Sequence, residues 1–266
     1  MSRHCILTRP RLLRAPRRRR LLVCALCVPL APVSSAAEVA ALCRGRHSGQ
    51  SLYWSLNWPH KLQRARLDGS NVEDIGVQGL NYPHAIAVDG DAGKLYWSEN
   101  SFLEDKIRRC NLDGTDAEDL YVGALAWGMA IDFVDRRLYW SDASGARIMR
   151  SFLNGSAVEE IVSEGLEDPA GLAVDGSAGK VYWCDHGLQK VQRSNLDGSS
   201  VEDLVSGLVH PQGLAIDTLA GKVYWTDPGS FKIQRAELDG SSVEELMASQ
   251  DPYGIVVDST GGMLYR

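Results

Sequence analysis

The dipeptide Tyr-Trp stands at Tyr53-Trp54, Tyr96-Trp97, Tyr139-Trp140, Tyr182-Trp183 and Tyr224-Trp225, with a partial copy at Leu264-Tyr265, so the step is 41 to 43 residues throughout. A Leu-Asp/Asn-Gly tripeptide follows each complete copy, ending at Gly69, Gly114, Gly155, Gly198 and Gly240. From the second copy on, a small-apolar run ending in Asp precedes each aromatic pair, at Asp89, Asp132, Asp175, Asp217 and Asp258. A period of about 40–45 residues with four strand-like runs per unit is the signature of a propeller blade. Few other architectures tolerate it.

The local patterns agree. "GLAVD" and "KVYW" are short, β-branched or aromatic, and are separated by turn residues. "KIQRA" alternates as a half-buried strand should. "LDG" marks a tight turn, and "VEEL" supplies a short outer strand. No window has sustained helical periodicity. The first strand of each unit lines the channel, where Ala87, Ala130, Ala173, Ala215 and Val256 fall. The paired acids of "VED", "AED" and "VEE" protect the outer edge from further pairing. The rings Tyr96, Trp97, Tyr139, Trp140, Tyr182, Trp183, Tyr224 and Trp225 read as structural core. A buried aromatic removes about 150–250 Å² from water, enough to wedge neighbouring blades together.

"YWTD" at Tyr224–Asp227, followed by "KIQRAELDG", resembles the class B repeat of the low-density-lipoprotein receptor family. "YWSD" (Tyr139–Asp142), "YWCD" (Tyr182–Asp185) and "YWSE" (Tyr96–Glu99) match less fully, and Leu56 replaces the acid in the first copy. The resemblance covers residues 51–266. It implies an all-β, six-bladed β-propeller of four-stranded antiparallel blades that binds protein ligands outside the cell and is not an enzyme. Here the first unit starts at its second strand and the last stops there, so the first and last blades are expected to be incomplete. Closure through Gly254–Asp258 onto the early strands is the five-bladed alternative.

Eight of the 28 Lys and Arg lie within residues 1–20, and no acid precedes Glu38. Residues 1–37, with "LLVCALCVPLAPV" at their centre, read as a secretory leader, and 38–50 as a linker. A mitochondrial-type presequence is the alternative. The apolar run is too short to span a bilayer. The chain carries a net charge of −6, and the body beyond the leader is more acidic still. Such a body argues against nucleic acid and favours a basic or neutral protein partner. The expected location is secreted or extracellular. Of six Cys, Cys43, Cys110 and Cys184 remain beyond the leader, an odd number without metal spacing.

Turns from strand two to three and from strand four to one share a face. Ligand-binding candidates there are His60, His84, Trp127, His186, His210, Gln212, Phe231 and Tyr253. Exposed aromatics among polar residues are what a protein hot spot uses. Imidazoles titrate in the endosomal range, so binding that responds to pH is a further expectation. Asn154-Gly155-Ser156 is a glycosylation acceptor on the opposite face. Each third strand carries an Arg (Arg64, Arg109, Arg150, Arg193, Arg235), expected to meet the acid after Tyr-Trp (Glu99, Asp142, Asp185, Asp227). The Asp ring reads as turn chemistry, with no compact ligand set for a metal. No cofactor is expected. The competing class is a propeller hydrolase of lactonase type with a channel metal, but the channel runs are aliphatic until their last residue.

Overall fold

The computed structural model describes residues 37–45, 49–101, 104–249 and 252–266. The expected leader lies almost wholly outside them. The first sheet comprises β1 (Ala37–Gly45), β2 (Gly49–Leu56), β3 (Lys61–Arg66) and β4 (Glu73–Ile75). The second comprises β5 (Pro83–Asp89), β6 (Lys94–Glu99), β7 (Lys106–Asn111) and β8 (Glu118–Val122). The third comprises β9 (Ala126–Asp132), β10 (Arg137–Asp142), β11 (Arg147–Phe152) and β12 (Glu159–Val162). The fourth comprises β13 (Pro169–Asp175), β14 (Lys180–Asp185), β15 (Lys190–Asn195) and β16 (Glu202–Ser206). The fifth comprises β17 (Leu214–Asp217), β18 (Lys222–Asp227), β19 (Lys232–Glu237) and β20 (Glu244–Ala248). A two-stranded sheet of β21 (Val256–Asp258) and β22 (Met263–Tyr265) follows. Within every four-stranded sheet the chain meanders antiparallel in sequence order. Among the described residues no helix is long and apolar enough to cross a membrane.

The innermost strands β1, β5, β9, β13, β17 and β21 touch in succession, and β21 touches β1. The sheets therefore surround an axis. Side-chain clusters between neighbouring sheets hold them. Trp140 packs with Tyr96 and Ile107 of the sheet before it, and Trp183 with Tyr139 and Ile148. Fully buried tryptophans at Trp97, Trp140, Trp183 and Trp225 make these wedges the core.

A hydroxyl beside each wedge adds a directional tie. Ser141 Oγ accepts from the Gly128 amide at 2.8 Å and donates to the Ala170 carbonyl of the next sheet at 2.6 Å. Ser98 and Thr226 repeat this with Ala126 and Tyr253 as the next-sheet acceptors. The third motif position is thus a hydroxyl for a structural reason. Cys184 takes that place in the fourth sheet and reaches only Gly213 O, at 3.8 Å.

The Leu-Asp-Gly turns are built alike. Asp197 Oδ1 accepts from the Ser199 amide at 3.0 Å and its hydroxyl at 2.6 Å. Gly198 has φ +84°, and an added Cβ would meet the Ile161 carbonyl of the previous sheet at 1.6 Å. Only glycine fits there. Asn154 plays the part of Asp197 in its own turn, accepting from Ser156. The Asp ring caps the following turn: Asp175 accepts the Ala178 amide at 2.9 Å, and Asp217 the Leu219 and Ala220 amides at 3.0 Å each.

Three expectations are corrected. The first sheet is complete, because Ala37–Gly45, the last residue of the expected leader and most of the expected linker, pairs with β2 through most of its length. The five-bladed closure fails, because Val256–Asp258 pairs with Met263–Tyr265 instead of the early strands. The expected third-strand Arg does not meet the motif acid, although a different one does in the second and third sheets, Arg108 with Glu99 and Arg147 with Asp142. Register places Arg150 opposite Tyr139, and Asp142 opposite Arg147. Arg150 pairs instead with Glu159 on the outermost strand, 2.8 Å from Nε, and donates from Nη1 to the Leu196 carbonyl of the next sheet at 2.8 Å. Arg64, Arg109, Arg193 and Arg235 likewise pair with Glu73, Glu118, Glu202 and Glu244.

Cys43, Cys110 and Cys184 are all buried. Burial pushes the Cys110 thiol up to about 12 and raises Cys184 as well, which keeps both protonated and unreactive.

Candidate functional site

The motif acids that miss the third-strand Arg do other work. Asp185, fully buried, accepts the amides of Glu167 (2.9 Å), Asp168 (3.1 Å) and Leu188 (2.9 Å). Asp227 does the same for Val209 (3.1 Å), His210 (2.8 Å) and Ser230 (3.2 Å). Each carboxylate thereby joins the loop entering the innermost strand to the loop leaving the second. The loops cannot drift from the axis, so the residues on them converge.

What converges is a cavity of about 470 Å³ at the axis. Six of the eight expected ligand-binding residues line it: His84, Trp127, His186, His210, Gln212 and Tyr253. Its wall carries Ile86, Met129, Leu172 and Leu214 from the innermost strands and Ile255 from just before β21. Gly128, Gly171 and Gly213 complete it where those strands approach most closely. A Cβ at Gly171 would stand 2.3 Å from the Gln212 carbonyl and 2.6 Å from the Leu214 amide.

The rim is aromatic and polar. The rings of His186 and His210 stack with centroids 3.5 Å apart and planes 18° from parallel. His186 Nδ1 lies 2.8 Å from Asp168 Oδ2. His84 meets Trp127 edge-on at 4.5 Å. Burial, then the neighbouring His186, lowers the His210 pKa below 6.5, with Asp227 and Asp168 opposing. Two buried polar atoms, Trp127 Nε1 and Gln212 Oε1, have no hydrogen-bond partner among the described residues. One is a donor and the other an acceptor.

The other two candidates lie apart from the cavity lining. His60 sits between Trp58 and Tyr82, at 5.3 and 4.3 Å between ring centroids. Phe231 ends the turn between β18 and β19 and is 55% exposed. Asp168 is the rim residue that sequence reasoning did not single out. Its signal was available: an acid directly before Pro169 in "EDPA", at the same turn position that carries Pro83, Pro211 and Pro252 in other units. Among the described residues no group of three or more His, Cys, Asp or Glu is placed to hold a metal ion.

Four-stranded antiparallel sheets arranged about an axis, with Tyr-Trp on the second strand of each and an axial cavity on one face, define a β-propeller. The model of the family "Low-density lipoprotein receptor repeat class B" matches residues 136–175 and 179–218, and these are repeats of that family. Residues of this chain are 56% identical over 45 positions to human low-density lipoprotein receptor-related protein 4, and equally so to the mouse protein. That stretch is 16% of this chain and 2% of each relative's length. A chain in the crystal structure of a nidogen/laminin complex superposes with a TM-score of 0.71 and 24% identity, over 83% of this chain and 85% of that one. A TolB structure from Agrobacterium tumefaciens gives 0.67 and 14%, over 85% and 88%. At these identities the two structures speak to the fold alone.

Proposed function

We propose that this propeller is an extracellular, non-enzymatic module that binds a protein or peptide ligand over the axial cavity. In this reading the two-stranded sheet is a reduced sixth blade. The observation that carries the proposal is the cavity itself: an apolar wall, a rim of rings, and an unpaired donor and acceptor. A guest residue filling the wall, with an amide near Trp127 and Gln212, would satisfy both groups. The relative's own description, a receptor-related protein, supports protein recognition. Asp168 at the rim and the acidic body favour a basic or neutral partner. Protonation of His210, whose pKa burial and the neighbouring His186 lower, would place a charge against the stacked His186 ring and loosen the rim, so in this reading binding weakens in acid. A glycan on the exposed Asn154, in the turn between β11 and β12, would leave the cavity open. The lactonase-type alternative draws no support from the wall, where Ile86, Leu172, Leu214 and Ile255 stand in place of ligating side chains.

Selection of random displayed peptides against the purified protein tests the reading. Enriched sequences should lose at least about tenfold in affinity on Trp127→Ala and on Tyr253→Ala, as hot-spot residues do. Selected peptides indifferent to both changes, or a failure to enrich any sequence family, would overturn it.

A further inference from the structure

In four of the five complete sheets the indole nitrogen of the second-strand tryptophan has an acceptor. Trp54, Trp183 and Trp225 donate from Nε1 to Gln63, Gln192 and Gln234 at 3.0, 3.1 and 3.2 Å. Each glutamine stands directly opposite its tryptophan on the third strand. In the second sheet Arg108 takes that place, and Trp97 Nε1 donates to Glu99 at 2.9 Å instead. The third sheet departs from both patterns. Met149 stands opposite Trp140, and Trp140 Nε1 is buried with no hydrogen-bond partner among the described residues. Trp140 is 0% exposed, so bulk water does not make good the missing bond.

Met149 has the skeleton of the glutamine found in the other sheets. In methionine Sδ follows Cγ as Cδ does in glutamine, so an oxygen atom added to sulfur takes the position of Oε1. The thioether is a weak acceptor, whereas oxidation makes the side chain polar.

We propose that Met149 is a site of reversible oxidation by peroxide, and that its sulfoxide oxygen accepts the hydrogen bond from Trp140 Nε1. A sulfur lone pair attacks one oxygen of hydrogen peroxide. The S–O bond forms as the O–O bond breaks, sulfur gives up two electrons, and the departing hydroxide takes the proton left on the new oxygen to become water. Enzymatic reduction of the sulfoxide restores the thioether. Met149 keeps 5% of its surface exposed, and the pairing of β11 with the short β12 shifts register between Ile148 and Met149. Local opening of that edge strand admits a molecule as small as peroxide. Oxidation of a core methionine ordinarily disrupts packing, because it puts a polar group among apolar ones. Here the oxygen meets a buried donor that lacks an acceptor, so the oxidised sheet is the more stable one.

The purified folded chain and its Met149→Leu variant, each treated with hydrogen peroxide, test this. Leucine nearly conserves the volume and cannot be oxidised, so the comparison cancels oxidation at the other methionines. Peptide mass mapping should find the oxygen on Met149. Oxidation should lower the unfolding constant of the chain about fivefold relative to the variant treated alike, the scale of one hydrogen bond. Without peroxide, Met149→Gln should lower it by a similar factor and slow solvent exchange of the Trp140 indole proton. Its amide would have Glu160 opposite, as Gln192 has Asp203. Failure of Met149 to oxidise in the folded chain, a loss of stability when it does, or a Met149→Gln variant no more stable than the parent would each overturn the proposal.

Discussion

Arg150 grips Glu159 across β11 and β12, Nε to Oε2 at 2.8 Å, while Nη1 of the same guanidinium holds the Leu196 carbonyl of the following sheet. One side chain therefore ties its own outer strand and its neighbour's turn. Arg150→Met should lower unfolding stability by about 2 kcal/mol, the scale of lost charge-assisted bonds. Glu159→Gln should cost less, because the bond to Leu196 survives it. Urea unfolding of the two variants checks the order, and a larger loss for Glu159→Gln would refute the inter-sheet role.

The hydroxyl beside the wedge is the second tie, and the chain contains its own control. Ser141 both accepts from Gly128 and donates to Ala170, whereas Cys184 makes a single long contact. Ser141→Ala strands a buried amide and should cost about 2 kcal/mol. Cys184→Ala should cost about 1 kcal/mol, since it loses packing and little else. Equal losses in denaturant melts would show that the hydroxyl adds nothing beyond volume.

Acid should weaken the rim before it weakens the sheets. The His210 pKa is lowered by burial and by His186, so the unfolded chain takes up a proton more readily than the folded one. The stabilisation from neutral His210 is complete above the ordinary value of 6.5 and is lost as pH falls from there through the lower folded value. His210→Gln should flatten the stability profile across that window. The measurement is denaturant unfolding from neutral pH downward, and an unchanged slope in the variant would exclude His210 as its source.

Much of this architecture is legible in the chain because the aromatic pairs recur at a blade's spacing, and the rings are buried where that spacing implies. What escaped has physical reasons. The strand Ala37–Gly45 lacks the terminal Asp that marks other innermost strands, since "AEVAALCRG" ends in Arg-Gly. The partner of Arg150 was misassigned because separation along the chain does not fix register, and Tyr139 rather than Asp142 turned out to lie opposite it. At the cavity, His84, Gln212 and Tyr253 each directly follow a proline (Pro83, Pro211, Pro252), and that shared position carried their signal. His186 directly follows the motif Asp and stays near the axis. Phe231 lies at the far end of the equivalent turn, which the sequence does not distinguish.

Glycine faces the cavity at Gly128 in β9, Gly171 in β13 and Gly213 just before β17, because the main chain of the next unit passes too close for a methyl group. A guest reaching that depth therefore meets bare peptide units, which are chemically alike whatever the surrounding residues. Under the proposed function, discrimination between guests would then fall to the loops of the mouth, whose side chains can change freely, while the main chain at the glycines would offer every guest the same contact.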